Sequence, residues 1–341
     1  MNSNRKDSWI GVILLAAVAV SALVIFPRVG EVGRNDPTGL PDTTVQVERA
    51  VDWLVGEHQN DDGGFSSFSI GANLAPSDVG GTVDVMLALA GSGVDFAGID
   101  PVQDSELVDF LKANMPAVRA YAQENGGQAG KLILALAGTG FDPRDFDGVD
   151  VVDILESHLN PDGTYSVDDP FKQSLAILGL AAAGEALPET AVNWLENRQA
   201  ENGSWDDGFG TENNADATAL AIMALVASGK TTIDPSVASA LDYLRTSQED
   251  SGGWAYSPGF GTSANSTAIV IQGLASVGED WYSSDNDWSK NSQSPLDALL
   301  SFQSESGAFQ SDFGEGPFED FFATVQSIPA LAGEPFPIAS D

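Results

Sequence analysis

Cysteine is absent and histidine occurs only at His58 and His158, whereas aspartate and glutamate together number 50. Thiolate zinc sites, cysteine nucleophiles and disulfides are thereby excluded. Both histidines stand near the ends of runs that read as outer helices, are expected at the surface, and offer no zinc site. Acids remain. Asp206, Asp207, Asp312 and Glu315 lie in Gly-rich loops and offer oxygen ligands. No loop has EF-hand spacing, so calcium is possible but unsupported and no metal site is assigned. Asp216 stands just before the apolar run ATALAIMALVASG (217–229), where the first turn of a helix would hold a carboxylate favoured by the helix dipole. Two facing carboxylates would suit glycoside cleavage, but so many acids allow many pairs and the sequence selects none.

The aromatic residues point to binding. Four loops combine Gly, aromatics and acids: FSSFSIGANLAPSD (65–78), WDDGFGTENN (205–214), WAYSPGFGTS (254–263) and FQSDFGEGPFED (309–320). Phe209, Phe260 and Phe313 each precede a glycine, and Trp205 and Trp254 open two of the loops. Gathered at one place, these five aromatics would make a mouth for a small amphipathic ligand. The alternative is that they pack beneath their own loops.

What gathers them is a repeat. ALAGSG (88–93), ALAGTG (135–140), GLAAAG (179–184), ALVASG (224–229), GLASVG (273–278) and a worn ALAGEP (330–335) end at 93, 140, 184, 229, 278 and about 335. A period in the forties marks a repeat architecture. Each run is apolar nearly all round, as in a buried helix, and the closing Gly supplies the left-handed residue that ends it. Fifteen residues upstream stand Asp78, Asn125, Asp169, Asn214, Ser263 and Asp320, all good N-caps. Amphipathic runs such as ERAVDWLVGEH (48–58), ETAVNWLENRQ (189–199) and SVASALDYLRTSQ (236–248) precede them. Six pairs of outer and inner helices predict a closed ring with the loops at one mouth and repeat two the most irregular.

The turns between outer and inner helices share Gln-x3-Gly-x-aromatic: Gln59, Gly63, Phe65; Gln199, Gly203, Trp205; Gln248, Gly252, Trp254; Gln303, Gly307, Phe309. Repeat three keeps Gly163 and Tyr165 but has Leu159 in place of Gln, and repeat two lacks the aromatic. The expected role is structural. Gln bridges the helix end to backbone, Gly makes the turn, and the aromatic fills the gap between pairs. This pattern resembles the QW repeat of squalene cyclases and, more broadly, the terpenoid cyclase and protein prenyltransferase superfamily. The resemblance covers about 48–335 and implies an all-α (α/α)6 toroid. Class II cyclases of this superfamily protonate an alkene with the middle acid of DxDDTA. The matching stretch here is Asn214-Ala-Asp216-Ala-Thr218-Ala219, which would make Asp216 the proton donor. The first Asp is replaced by Asn214 and the adjacent one by Ala217. Thr82, Thr218, Thr267 and Thr324 recur eleven residues before the closing position, so the threonine belongs to the repeat. The prenyltransferase zinc ligands and the GCGEQ thioester motif are missing. The related cobalamin carriers, transcobalamin and intrinsic factor, suggest a corrinoid ligand. They also have a second, β-rich domain that is not seen before Asp341, so affinity for cobalamin would be weak.

Lys and Arg number 14, giving a net charge of −36. Such a surface repels nucleic acid. Residues 9–26 (WIGVILLAAVAVSALVIF) carry no charge and follow Arg5 and Lys6, which reads as a transmembrane signal anchor, or a signal peptide, after a cytoplasmic tail of 1–8. Residues 27–47 read as a linker, 48–335 as the toroid and 336–341 as a tail. The reading is a membrane-anchored toroid outside the cytoplasm, without catalysis or required cofactor, binding a small amphipathic molecule or a cell-surface component. The alternative is a cyclase acting through Asp216. The insertion EDWYSSDNDWSKNSQS (279–294) accounts for the long fifth repeat and is either an interaction loop or anchored by its own aromatics.

Overall fold

The computed structural model describes residues 39–70, 73–93, 106–165, 168–208 and 210–338. The expected anchor at 9–26 and Phe209 lie outside them. Among the described residues no helix is long and apolar enough to cross a membrane.

In chain order the helices are α1 (Thr44–His58), α2 (Val79–Ala90), α3 (Glu106–Ala113), α4 (Met115–Glu124), α5 (Gly126–Gly138), α6 (Val151–Ser157), α7 (Pro170–Ala182), α8 (Glu189–Asn197), α9 (Ala215–Ala227), α10 (Pro235–Ser247), α11 (Ala264–Ser276), α12 (Pro295–Leu300) and α13 (Phe321–Ala332). The first helix begins at Thr44, four residues before the expected start. Two short hairpins, Ser69–Ile70 with Asn73–Leu74 and Gln310–Ser311 with Phe318–Glu319, lie in the loops before α2 and α13.

The inner helices α2, α5, α7, α9, α11 and α13 each pack on the next, and α13 returns to α2. The ring is closed, as a repeat array without polar terminal repeats requires. All six expected N-caps operate: the side chains of Asp78, Asn125, Asp169, Asn214, Ser263 and Asp320 each accept from the third backbone N–H of their helix. The closing glycines Gly93, Gly140, Gly184, Gly229 and Gly278 have φ between 61° and 93°. In the last repeat the left-handed residue is Gly333, at φ 69°, two residues before the expected close. Repeat two is the irregular one. It carries two outer helices, α3 and α4, and passes into α5 through the single residue Asn125.

From repeat three on, each outer helix packs against the inner helix before it: α6 on α5, α8 on α7, α10 on α9, α12 on α11. By this rule α13 lacks a partner, and α1 supplies it. Thr43 Oγ1 donates to Leu331 O (2.7 Å), Gln303 Nε2 to Gln46 O (2.8 Å) and Arg49 Nη2 to Ser304 O (2.9 Å). The first and last repeats thus interlock.

The turn motif works as expected. The amides of Gln59, Gln199, Gln248 and Gln303 donate to the carbonyls of Gly63, Gly203, Gly252 and Gly307 at 2.7–3.1 Å. Each aromatic backbone N–H then donates to the repeat threonine: Phe65 to Thr82, Trp205 to Thr218, Trp254 to Thr267 and Phe309 to Thr324. Repeat three shows why Leu159 is tolerated. Gln173 occupies the threonine position. Its oxygen accepts from Tyr165 N (3.0 Å), and its amide donates to Gly163 O (2.8 Å) and Ala191 O (3.1 Å). One side chain replaces two.

The tail beyond 335 is part of the ring rather than an appendage. Phe336 N donates to Met223 Sδ on α9 (3.4 Å), and Gln272 Nε2 on α11 donates to Glu334 O (2.9 Å). Ile338 is buried against Gly91 and Gly138, at the ends of α2 and α5. The segment crosses the closing end of the ring and touches four of its six inner helices.

Candidate functional site

The inner helices are parallel, so residues at equal distance from their N-caps form layers. The second residues are Gly80, Gly127, Phe171, Asp216, Asn265 and Phe322; four residues on come Asp84, Lys131, Leu175, Leu220, Ile269 and Gln326. Gly127 and Asp216 of the first layer are already buried, and the other members of the first two layers differ in exposure. Phe322 is 45 % exposed in the first layer, and Lys131 is still a quarter exposed in the second. At the ninth residues, Leu87, Leu134, Leu178, Met223, Gln272 and Pro329, all are buried. The tail lies beyond that layer. At about 1.5 Å per residue, seven residues separate the first layer from the filled one, so the ring is a cup about 10 Å deep.

Charges in the cup are mostly paired. Lys131 on α5 meets Asp84 on α2 in direct contact. Burial alone would lower the Lys131 pKa, but Asp84 and Tyr121 outweigh it and hold the amine charged. Lys172 Nζ lies 3.0 Å from Asp169 Oδ2. Asn265 Nδ2 donates to Gln326 Oε1 at 2.8 Å.

Asp216 differs from these. It is 7 % exposed and its Oδ1 has no hydrogen-bond partner. Burial pushes its pKa up to about 7; a hydrogen bond from Ser266 on α11 opposes the rise and the Asp207 charge adds to it. Asp207 is itself held, accepting from Thr211 N (2.9 Å) and from the Tyr256 hydroxyl (2.5 Å). Asn213, three residues before Asp216, has φ 57°, fixed by Asn202 on its side chain and by the Tyr243 hydroxyl on its carbonyl. Strained backbone persists where surroundings over-determine it, which is common beside functional groups. Ala215 N donates to Tyr256 O (3.2 Å), so the loops of repeats four and five meet at this mouth.

The aromatics expected at the mouth divide. Phe260 is 63 % exposed and Phe313 81 %, the latter stacked at 5.5 Å on Phe318. Trp205 and Trp254 are fully buried, and their indole N–H groups donate to Leu195 O and Leu244 O of the preceding outer helices (both 2.8 Å). They offer a ligand no surface, because the turn that fixes them buries both faces. Asp206 and Asp312 accept from the backbones of their own turns, and among the described residues no three acids or histidines gather to hold a metal. His58 is not at the surface: its ring lies between Trp53 (4.6 Å) and Phe321 (5.0 Å), Nδ1 is 2.8 Å from Ser66 O, and burial lowers its pKa. His158 is half-buried, with Nε2 3.1 Å from Ala122 O. In the 279–294 insertion Trp281 and Trp288 are buried, with Arg245 stacked 4.6 Å from the Trp288 ring; the loop is anchored by its aromatics.

Known structures share this architecture. The type II terpene cyclase MstE from Scytonema superposes with TM-score 0.60 at 16 % identity, covering 85 % of this chain and 97 % of that one. A protein from Actinoplanes gives 0.61 at 17 % identity, covering 86 % and 99 %. A possible member of the GH105 family from Salmonella enterica gives 0.55 at 13 % identity, covering 85 % and 92 %. No family model matches the sequence, and no curated protein does. The chain has the α/α-toroid fold of the class II terpene cyclases.

Proposed function

We propose that this toroid is a non-catalytic binding cup that takes the head of a small amphipathic ligand, or a surface component, at the mouth where the inner helices begin. The observation that carries this is the filled ninth layer, sealed behind by Glu334–Ile338. Cyclising a polyene requires enclosing it away from water. A cup of this depth fits a head group and leaves a long chain outside, against the exposed rings of Phe260, Phe313 and Phe322. Titration calorimetry with a corrinoid and with a decyl-chain amphipath tests it. Saturable binding weakened by Phe313→Ala or Phe322→Ala supports the cup. Binding indifferent to both counts against it.

A second reading is favoured by Asp216. A buried, protonated carboxyl with a free oxygen is what a class II cyclase requires of its acid. In that case Asp216→Asn abolishes turnover, since Asn has no acidic proton to give.

We also propose that residues 9–26 anchor the protein, leaving the ring outside the cytoplasm. Support comes from the uncharged run after Arg5 and Lys6. Protease added to intact cells should digest the ring; protection that persists after the outer layers are opened would reverse the topology.

A further inference from the structure

A cavity of about 450 Å³ opens on the outer wall of the ring, between repeats four and five. It is lined by residues 243 and 246–249 at the end of α10, by Asn202 of the repeat-four turn and by residues 255 and 257–259 of the repeat-five loop. No inner-helix residue lines it, so it is separate from the cup. Its side chains have spent almost all their protons on the protein itself. The hydroxyls of Tyr243, Thr246, Ser247 and Ser257 donate to the carbonyls of Asn213, Tyr243, Leu244 and Glu212. Both amide hydrogens of Gln248 are taken, by Gly252 O and Trp288 O. Asn202 keeps one amide hydrogen beyond its bond to Asn213 Oδ1. What these side chains still offer is hydroxyl lone pairs and the Glu249 carboxylate. Glu249 is half-buried and forms no ion pair among the described residues. Arg245, one turn back on α10, is turned to Asp242 (3.1 Å) and to the Trp288 ring (4.6 Å).

We infer that this cavity binds a primary ammonium on a short alkyl stem, with Glu249 as counter-ion and the hydroxyl oxygens of the wall accepting its N–H groups. An ammonium brings three donors and no acceptor, which complements side chains that have acceptors to spare. A carboxylate or phosphate would meet Glu249 and repel it. A neutral saccharide brings acceptors that these side chains can match with one amide hydrogen. A quaternary ammonium brings the charge without the donors. Two further features favour a cation. The C-terminal end of α10 adds the partial negative charge of the helix dipole. The net charge of −36 raises the local concentration of small cations around the whole protein. The cavity volume lies within the range of about 300–1,000 Å³ usual for small-molecule sites, and Ala255 and Pro258 give the stem an uncharged wall.

Two probes test this in the full chain: hexamethylenediamine and hexamethonium. They share the spacer and the charge, and only the first has N–H groups. Neither is amphipathic, so neither suits the cup. Calorimetry at about 0.15 M salt, where distant surface charges are screened, should show saturable one-site binding of the diamine. It should bind roughly tenfold more tightly than hexamethonium, the scale of a charge-assisted hydrogen bond. Glu249→Gln should weaken the diamine by a similar factor. Thr246→Val, at an exposed position, should weaken it roughly threefold with helical circular dichroism unchanged. Glu305→Gln removes an exposed acid of repeat six and should leave the affinity as it was, as should Phe322→Ala in the cup. Equal binding of the two probes, indifference to Glu249→Gln, an equal loss in Glu305→Gln, or no saturable diamine binding overturns the inference. A loss in Phe322→Ala that is absent in Glu249→Gln would put the amine in the cup and overturn it as well.

Discussion

The two ends of the ring are built from the same six helices and solve opposite problems. At the closing end every repeat finishes on a left-handed glycine, the tail crosses from helix to helix, and the filled layer shuts out water. At the mouth, Phe313 and Phe322 stand in solvent, Asn213 is strained, and Asp216 keeps an oxygen without a partner. The exposed rings and the unpartnered Asp216 oxygen lie at the mouth, while the tail contacts lie at the closing end.

Perturbing the inner wall away from the mouth should cost most. Gly179 on α7 packs on Gly130 of α5, and an added Cβ would lie 2.5 Å from Gly130 Cα. Gly179→Ala should therefore destabilise by about 3 kcal/mol through overpacking, read from urea midpoints. A midpoint within experimental error of wild type would mean that the wall yields. Gln173→Leu should cost nearly as much, roughly 2–3 kcal/mol, because it strands Tyr165 N–H and two carbonyls. Gln59→Ala, which removes one part-buried bond, should cost about 1 kcal/mol.

Phe336→Ala tests the seal. It should cost about 2 kcal/mol and leave mouth binding intact. If ligand affinity collapses instead, the two ends are not independent.

At the mouth the signs change. The folded state holds the Asp216 proton up to about pH 7, whereas the unfolded chain releases it near 3.8. Stability from this group is therefore fully present below pH 3.8 and declines as pH rises to 7, at up to about 1.4 kcal/mol per unit. Asp216→Asn should flatten that decline and be more stable than wild type at pH 8; thermal melts across pH 4–8 measure it. An unchanged slope would place the titration elsewhere. The smallest effect is expected at Phe313→Ser, within about 0.5 kcal/mol, because the ring is 81 % exposed.

Most of this architecture could be read from the sequence, because helix ends use local chemistry. N-caps, closing glycines and the Gln–Gly–aromatic turn act within a few residues of themselves. Non-local features escaped. Nothing near Phe336 says that it meets Met223 across the ring, so the tail looked like an appendage. Gln173 sat in view at the threonine position, eleven residues before Gly184, and that register was the available signal for its double role. His58 was expected at the surface, and the two turn tryptophans were left between the mouth and the turn, because their burial depends on which neighbours close over them. Asp216 was legible as a helix-start acid; that its Oδ1 lacks a partner depends on Ser266 and Asp207, brought to it by the ring.

Binding and conversion are the two outcomes that separate the readings of the cup. The most direct measurement is mass-spectrometric product analysis after incubating the full chain with a geranylgeranyl-chain polyene at pH 6, beside Asp216→Asn. Unchanged polyene is expected from both proteins. A cyclised product made by the wild type and lost in Asp216→Asn would contradict it and make Asp216 the proton donor of a working cyclase.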